Sequence, residues 1–211
     1  MKNKGFLITF EGGEGGGKTT QTVRLRDKLA KAGYDVILLR EPGGTVISEQ
    51  IREVLLSPKN TSMAFTTEVL LFQAARSQIY REIVIPSLKA GKVVLMDRSR
   101  DSSLAYQGIV RGFGKNLIEE LNDLSTEKTY PDLILLLDLS VKTGLLRRVK
   151  TEKMDRLDME AVEFHEKVRR AYQDLAKENA QGCWQAIDAE KSLEDVEKKI
   201  WKIVAQKLDL K

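Results

Sequence analysis

The chain has a single cysteine, Cys183, and a single histidine, His165, in 211 residues. One cysteine excludes an intrachain disulfide, and a Cys/His cluster of the structural-zinc type cannot be assembled. One histidine also weighs against a Ser-His-Asp arrangement. Only four prolines occur. With no Pro/Gly-rich linker, repeat or low-complexity tract, residues 1–211 are expected to form one domain. No apolar run approaches the roughly 18 residues needed to span a bilayer, so no membrane partner is expected. The excess of 35 Lys/Arg over 31 Asp/Glu is small, and the two signs interleave. That pattern does not point to a nucleic-acid partner, whereas a mild positive balance suits small anions such as nucleotides. The start, "MKNKGFLITF", has a short basic lead but no cleavage-like segment. It reads as a first strand, and the expected compartment is cytoplasmic.

What the sequence does contain is a regular alternation. Apolar, β-branched runs at 6–10, 35–40, 92–98, 132–140 and 183–189 read as strands. Helical spacing is found over 21–32, 45–56, 66–90, 101–108, 117–126, 141–150, 158–179 and 193–208. Near-continuous hydrophobic strands alternating with helices predict an α/β fold with a parallel sheet covered on both faces. Ligands of such sheets bind at the carboxyl ends of the strands. Here those ends read "EGGEGGGKT", "REPGG", "DRSRDSS" and "DLS", all of them charged.

The first of these ends matches G-x-x-x-x-G-K-[ST], with Gly12, Gly17, Lys18 and Thr19 at the fixed positions, after a strand and opening a helix. Small residues let backbone N–H groups turn inward around phosphate oxygens, helped by the positive end of the helix. Lys18 would reach the β- and γ-phosphates, and the Thr19 hydroxyl would help to hold Mg²⁺. This is a nucleoside-triphosphate site, but kinases, switches, motors and transporters all use one. The N-K-x-D motif of guanine-binding switches is absent.

"FEGGEGGGKTTQ" (10–21), "REPGGT" (40–45), "LLFQAARSQ" (70–78) and "DRSRDSSLAYQG" (97–108) narrow the class. With "MDR" (154–156), "VRRAY" (168–172) and "IDAEKSLEDV" (187–196), the chain resembles the bacterial thymidylate kinase family over nearly its whole length. The resemblance implies a three-layer P-loop NTPase fold with a five-stranded parallel sheet flanked by helices. A small lid is implied at about 147–158. It also implies transfer of the γ-phosphate of ATP to dTMP, giving dTDP for dTTP synthesis, with Mg²⁺ as cofactor and a homodimer as the assembly. ATP would be held by Gly12, Gly13, Gly15, Gly16, Gly17, Lys18, Thr19 and Thr20. The dTMP site would comprise Glu14, Arg40, Pro42, Phe72, Arg76, Arg98, Ser103, Tyr106 and Gln107. In the family the bond before the counterpart of Pro42 is cis.

Residue chemistry supports several of these assignments. Phe72 and Arg76, four apart, share a helix face and present a flat ring beside a guanidinium, as a base and its carbonyl require. Asp97 and Arg98 end an otherwise apolar strand, so their charges emerge at its tip. By resemblance Arg98 binds the acceptor phosphate and the transferring group, a role its fork of donors suits. Asp97, with Thr19, would act through Mg²⁺ and its water shell. By the same resemblance Tyr106 packs against the sugar, where it would crowd a ribose hydroxyl, and Glu14 reaches the 3′-hydroxyl. Ser99 departs from the family, which usually has Tyr or His there.

Some thymidylate kinases carry a catalytic arginine where this chain has Gly15. The type lacking it uses lid residues, and residues 147–156 hold five basic side chains in ten. Arg147 and Arg156 align best with the family's lid arginines, joining Lys18 and Arg98 as expected catalytic groups, while Thr151 stands where relatives often have another. The acceptor is already anionic, so catalysis would need no strong base, only positioning and charge. Two alternatives stay open: another nucleoside monophosphate kinase, and a P-loop binding protein without turnover.

Overall fold

The computed structural model describes residues 5–149, 154–178 and 182–209. Five strands, β1 (Phe6–Glu11), β2 (Val36–Arg40), β3 (Val93–Asp97), β4 (Leu133–Asp138) and β5 (Trp184–Asp188), form one sheet of order β2-β3-β1-β4-β5. All four pairings are parallel. Because β1 is central, the chain leaves it toward one side of the sheet and later returns to the other. The loop after β1 therefore opens at the switch point of the topology.

The strands are mostly apolar because both of their faces are covered. Ile8, Phe10, Val93, Leu95, Leu133, Leu135 and Leu137 pack on one face against α1 (Lys18–Lys31) and α9 (Leu193–Lys207). Their neighbours Leu7, Val94 and Met96 meet the end of α3 (Phe65–Ile79) and the turn that follows it. Leu136 meets α8 (Val162–Lys177) and the helical region before α6 (Lys115–Thr126) on that same face. Alternation along each strand thus becomes a three-layer sandwich.

The remaining helices are α2 (Val46–Leu56), α4 (Ile85–Lys89), α5 (Arg100–Ser103) and α7 (Val141–Val149). The expected helix over 66–90 is continuous in course but widens to a π-helix at Tyr80–Val84. Pro86, which has no N–H and would clash in a regular α-turn, follows at the start of α4. A second π segment, Leu104–Val110, extends α5. The helix expected from 158 begins only at Val162. The Asp155 carboxylate accepts the backbone N–H groups of Leu157 (2.9 Å) and Asp158 (3.0 Å), a local turn that competes with a helix start. Lys150, Thr151 and Lys153 of the expected lid lie outside the described residues, as does the end of that helix at 179.

α7 crosses the loop after β1 at backbone distance. A Cβ on Gly15 (φ +67) would lie 2.2 Å from the Gly144 carbonyl oxygen, and one on Gly144 would lie 2.3 Å from that of Glu14. Glycine at both positions lets loop and helix touch, and an arginine at position 15 would have no room in this packing. Gly144→Ala is therefore expected to cost about 1–3 kcal/mol, as overpacking does. A thermal melt should show Tm several degrees lower; an unchanged Tm would mean that the contact is loose.

Candidate active site

α1 begins at Lys18, directly behind Gly17 (φ 81), with no side-chain cap and no acidic residue in its first turn. Its free N–H groups open onto a cavity of about 570 Å³ whose floor is Gly15, Gly16, Gly17, Lys18, Thr19 and Thr20. Gly12 and Gly13 lie behind that floor and contribute carbonyl oxygens, to which the Lys18 ammonium donates at 3.1 and 2.7 Å. Burial, and then the Arg98 charge, lower the Lys18 pKa to about 8, against the pull of Glu14 and Asp97.

β3 delivers Asp97 and Arg98 beside this cradle. Arg98 has φ 66, a left-handed conformation that a side chain rarely adopts. The turn sends its guanidinium back over the loop. There it donates to Gly12 O (2.9 Å) and Glu14 Oε1 (2.5 Å), with the Tyr106 ring centre 5.4 Å away. Tyr106 OH donates to the same Glu14 oxygen at 3.0 Å. Burial works to raise the Glu14 pKa, but Arg98, then Lys18 and the Tyr106 bond, hold it at about 2. Thr19 Oγ1 donates to Asp97 Oδ2 at 2.5 Å. Hydroxyl and carboxylate oxygens suit a hard cation that keeps most of its waters. Among the described residues no group of three or more His, Cys, Asp or Glu could hold a metal unaided. Mg²⁺ would fit here only with nucleotide oxygens and water completing its shell.

The far wall of the cavity carries the expected acceptor residues. Phe72 lines it and belongs to none of the three apolar clusters, so its ring is not needed by the core. Arg76 is also at the wall but only 1% exposed. Its donors go to Glu41 Oε2 (2.8 Å), Asn122 Oδ1 (2.7 Å) and Ser99 O (3.1 Å). Burial raises the Glu41 pKa, with Arg76 opposing it. Ser99, the position that departs from the family, is fully buried and joins Tyr80 OH (2.8 Å) to Glu41 (3.3 Å) through its hydroxyl.

The π segment positions Tyr106 over Glu14 and sends Gln107 to Glu68, to which Nε2 donates at 2.8 Å. Ser103 Oγ, buried at the wall, has no partner among the described residues. Leaving such a group unpaired costs about 1–3 kcal/mol, which a ligand's polar atom would relieve. The bond before Pro42 is cis, and Arg40 faces the cavity while donating to both oxygens of Glu49 (3.0 and 2.8 Å).

The arginines of the expected lid separate. Arg147 lines the cavity, with long 3.4 Å contacts to the carbonyls of Gly15 and Ala189. Arg148 lines it too and is held by both oxygens of Asp158 (3.0 and 2.9 Å). The Arg156 guanidinium is not at the cavity. It donates to Leu55 O at 3.1 Å and pairs with Glu68 at 2.7 Å.

Three further features have no counterpart in the sequence reading. Arg52 reaches the cavity from α2 and donates to Pro42 O at 2.6 Å. Glu11, fully buried, accepts from Ser99 N (2.9 Å), Ser102 Oγ (2.6 Å) and Tyr172 OH (2.9 Å), bracing the Arg98 turn. Glu68 lies fully buried among arginines. An acidic residue within an otherwise core-facing helix stripe was the one available signal for Glu68.

The chain as a whole is similar to known proteins. The thymidylate kinase family profile matches residues 10–200. A thymidylate kinase of a Geobacillus species is 44% identical over 92% of each chain, and that of Pelobacter propionicus is 47% identical over 82% of this chain and 81% of its own. The crystal structure of thymidylate kinase from Ehrlichia chaffeensis superposes with a TM-score of 0.77 at 32% identity, covering 95% of this chain and 98% of that one. The sheet order and flanking helices are those of the P-loop NTPase fold. By sequence over its whole core and by fold, the chain belongs to the thymidylate kinase family.

Proposed function

We propose that the chain transfers the γ-phosphoryl group of ATP to dTMP, acting as one domain over 1–211 with a lid at about 147–158. One observation carries the reading. Residues 15–20 of the phosphate loop and Phe72, Arg76 and Ser103 of the expected acceptor site line the same cavity, together with Arg98. The phosphates of the two nucleotides would meet at Lys18 and Arg98. Arg98 would leave Glu14 for phosphate oxygens, and Glu14 would then accept the sugar 3′-hydroxyl. Mg²⁺ bound near Thr19 and Asp97 would neutralise charge on the donor phosphates. Arg147 faces the region where the γ-phosphate would lie. Tyr106 would pack on the sugar and disfavour a ribose.

A homodimer fits the surface. Leu117 and Leu124 on α6 are 45% and 78% exposed, two turns apart on its outer side. Leu70 on neighbouring α3 is 57% exposed. Two copies meeting on these helices would cover both. A chemistry on free nucleotides and a single cysteine, which can form no intrachain disulfide, also fit a reducing cytoplasm.

Three outcomes are expected. In a coupled assay over dTMP, dUMP, CMP and AMP, dTMP should give the highest kcat/KM, and Arg98→Ala should lower kcat at least about a hundredfold. ATP turnover indifferent to dTMP would favour a binding protein. Because the Lys18 pKa of about 8 lies below the ordinary lysine value, raising pH through 8 should remove its charge from the free enzyme. ATP affinity should then fall by up to about tenfold per pH unit, and Lys18→Arg should abolish that break. In sedimentation, the chain should have the mass of two copies and Leu124→Glu that of one.

A further inference from the structure

Arg156 enters the protein interior between two elements far from it in sequence. Its backbone N–H donates to Leu56 O (3.1 Å) and its Nε to Leu55 O (3.1 Å). These are last-turn carbonyls of α2, a helix with no basic residue of its own there. A cation at that negative helix end is favourable. The Nη2 atom lies 2.7 Å from Glu68 Oε2, off-angle for a hydrogen bond but close as an ion pair.

Glu68 is fully buried on α3 and serves three partners. Oε2 faces Arg156; Oε1 accepts from Gln107 Nε2 at 2.8 Å; Arg111 spans both oxygens at 3.4 Å. Arg111 is itself fixed, stacked between Phe65 and Phe164 at 4.2 and 4.6 Å and paired with Glu160 at 2.5 Å. Of these groups only Gln107 lines the cavity, whereas Asp155 and Leu157, on either side of Arg156, also do. One carboxylate therefore holds both a wall residue of the acceptor pocket and the residue that seats the lid.

We propose that Arg156 is a positioning residue that acts through Glu68, coupling the seat of the lid to the Gln107 wall of the acceptor pocket, and does not touch the transferring phosphoryl group. A shift of Gln107 on acceptor binding changes what Glu68 offers Arg156, so the lid senses the acceptor through a buried ion pair. The inference rests on the acceptor assignment made above and alters the role expected for Arg156 from its place in the lid.

Steady-state kinetics of the wild type, Glu68→Gln, Arg156→Gln and the double variant test it. Each single variant is expected to lower kcat/KM for the acceptor by about tenfold, mainly through KM, with the double variant within about twofold of the poorer single. Arg156→Lys, which keeps a charge for Glu68, is expected to recover at least half of the loss. A loss confined to kcat in Arg156→Gln, or losses that multiply in the double variant, would overturn the coupling. Should Glu68→Gln not fold, the comparison of Arg156→Gln with Arg156→Lys decides: a raised KM rescued by lysine supports the proposal, and a kcat loss at unchanged KM overturns it. Hydrogen exchange of the wild type reads the same link without turnover. Adding the acceptor is expected to slow exchange in both 104–110 and 155–160, and slowing in 104–110 alone overturns the coupling. A wild type that turns over another monophosphate refutes the proposed substrate, and the same variants then test the coupling with that acceptor.

Discussion

A guanidinium withdrawn from water has to be surrounded by oxygen, and Arg98 meets that requirement at the carboxyl edge of the sheet. Its partners come from the loop after β1, through Gly12 O and Glu14, and its backbone N–H is bonded to Phe10 O at 2.9 Å. The left-handed turn that makes this reach possible is braced from below by Glu11, which takes the next backbone N–H and the hydroxyls of Ser102 and Tyr172. Without Arg98 the Glu14 carboxylate would be a half-buried negative charge, opposed mainly by Lys18, inside the phosphate loop. With it, the two form a preorganised pair that incoming phosphate can divide.

The sheet supplies the rigidity for this arrangement. Apolar residues on both faces of β1, β3 and β4 lock those strands between two helical layers, so charged groups are confined to their tips. The two π segments serve the site from the acceptor side. One, Tyr80–Val84, ends just before Pro86 and brings Tyr80 OH to Ser99, and the other carries Tyr106 and Gln107 to different partners, Glu14 and Glu68. The proposed acceptor site is built mostly from buried, mutually bonded groups. Arg76, Glu41, Ser99 and Asn122 are fixed before any ligand arrives. Such preorganisation spares the reaction a cost of ordering.

The arginines of the proposed lid sit in unlike surroundings. Arg147 faces the cavity, Arg148 is shared between the cavity and Asp158, and Arg156 is driven inward onto Glu68 and the end of α2. The same residue type at three nearby positions thus meets three dielectric environments, and only the exposed members are available to a moving phosphate. Net charge within a segment does not reveal that division.

Local chemistry in the sequence was enough for the strands, the parallel order of alternation and the phosphate cradle. A glycine loop before Lys18 and Thr19 has few uses other than to wrap an anion, and strand tips in an apolar sheet have nowhere to hide charge. The widening at Pro86 and the delayed start of α8 were less legible, because each depends on a competition between local turns and helix. What the tertiary structure alone decided was pairing at a distance. Arg76 finds Glu41 and Arg156 finds Glu68 across 35 and 88 positions of chain, and Gly15 meets Gly144 backbone to backbone. A side chain's charge is written in its own letter, but its partner, and therefore its role, depends on which elements the folded core brings within about 3 Å of it.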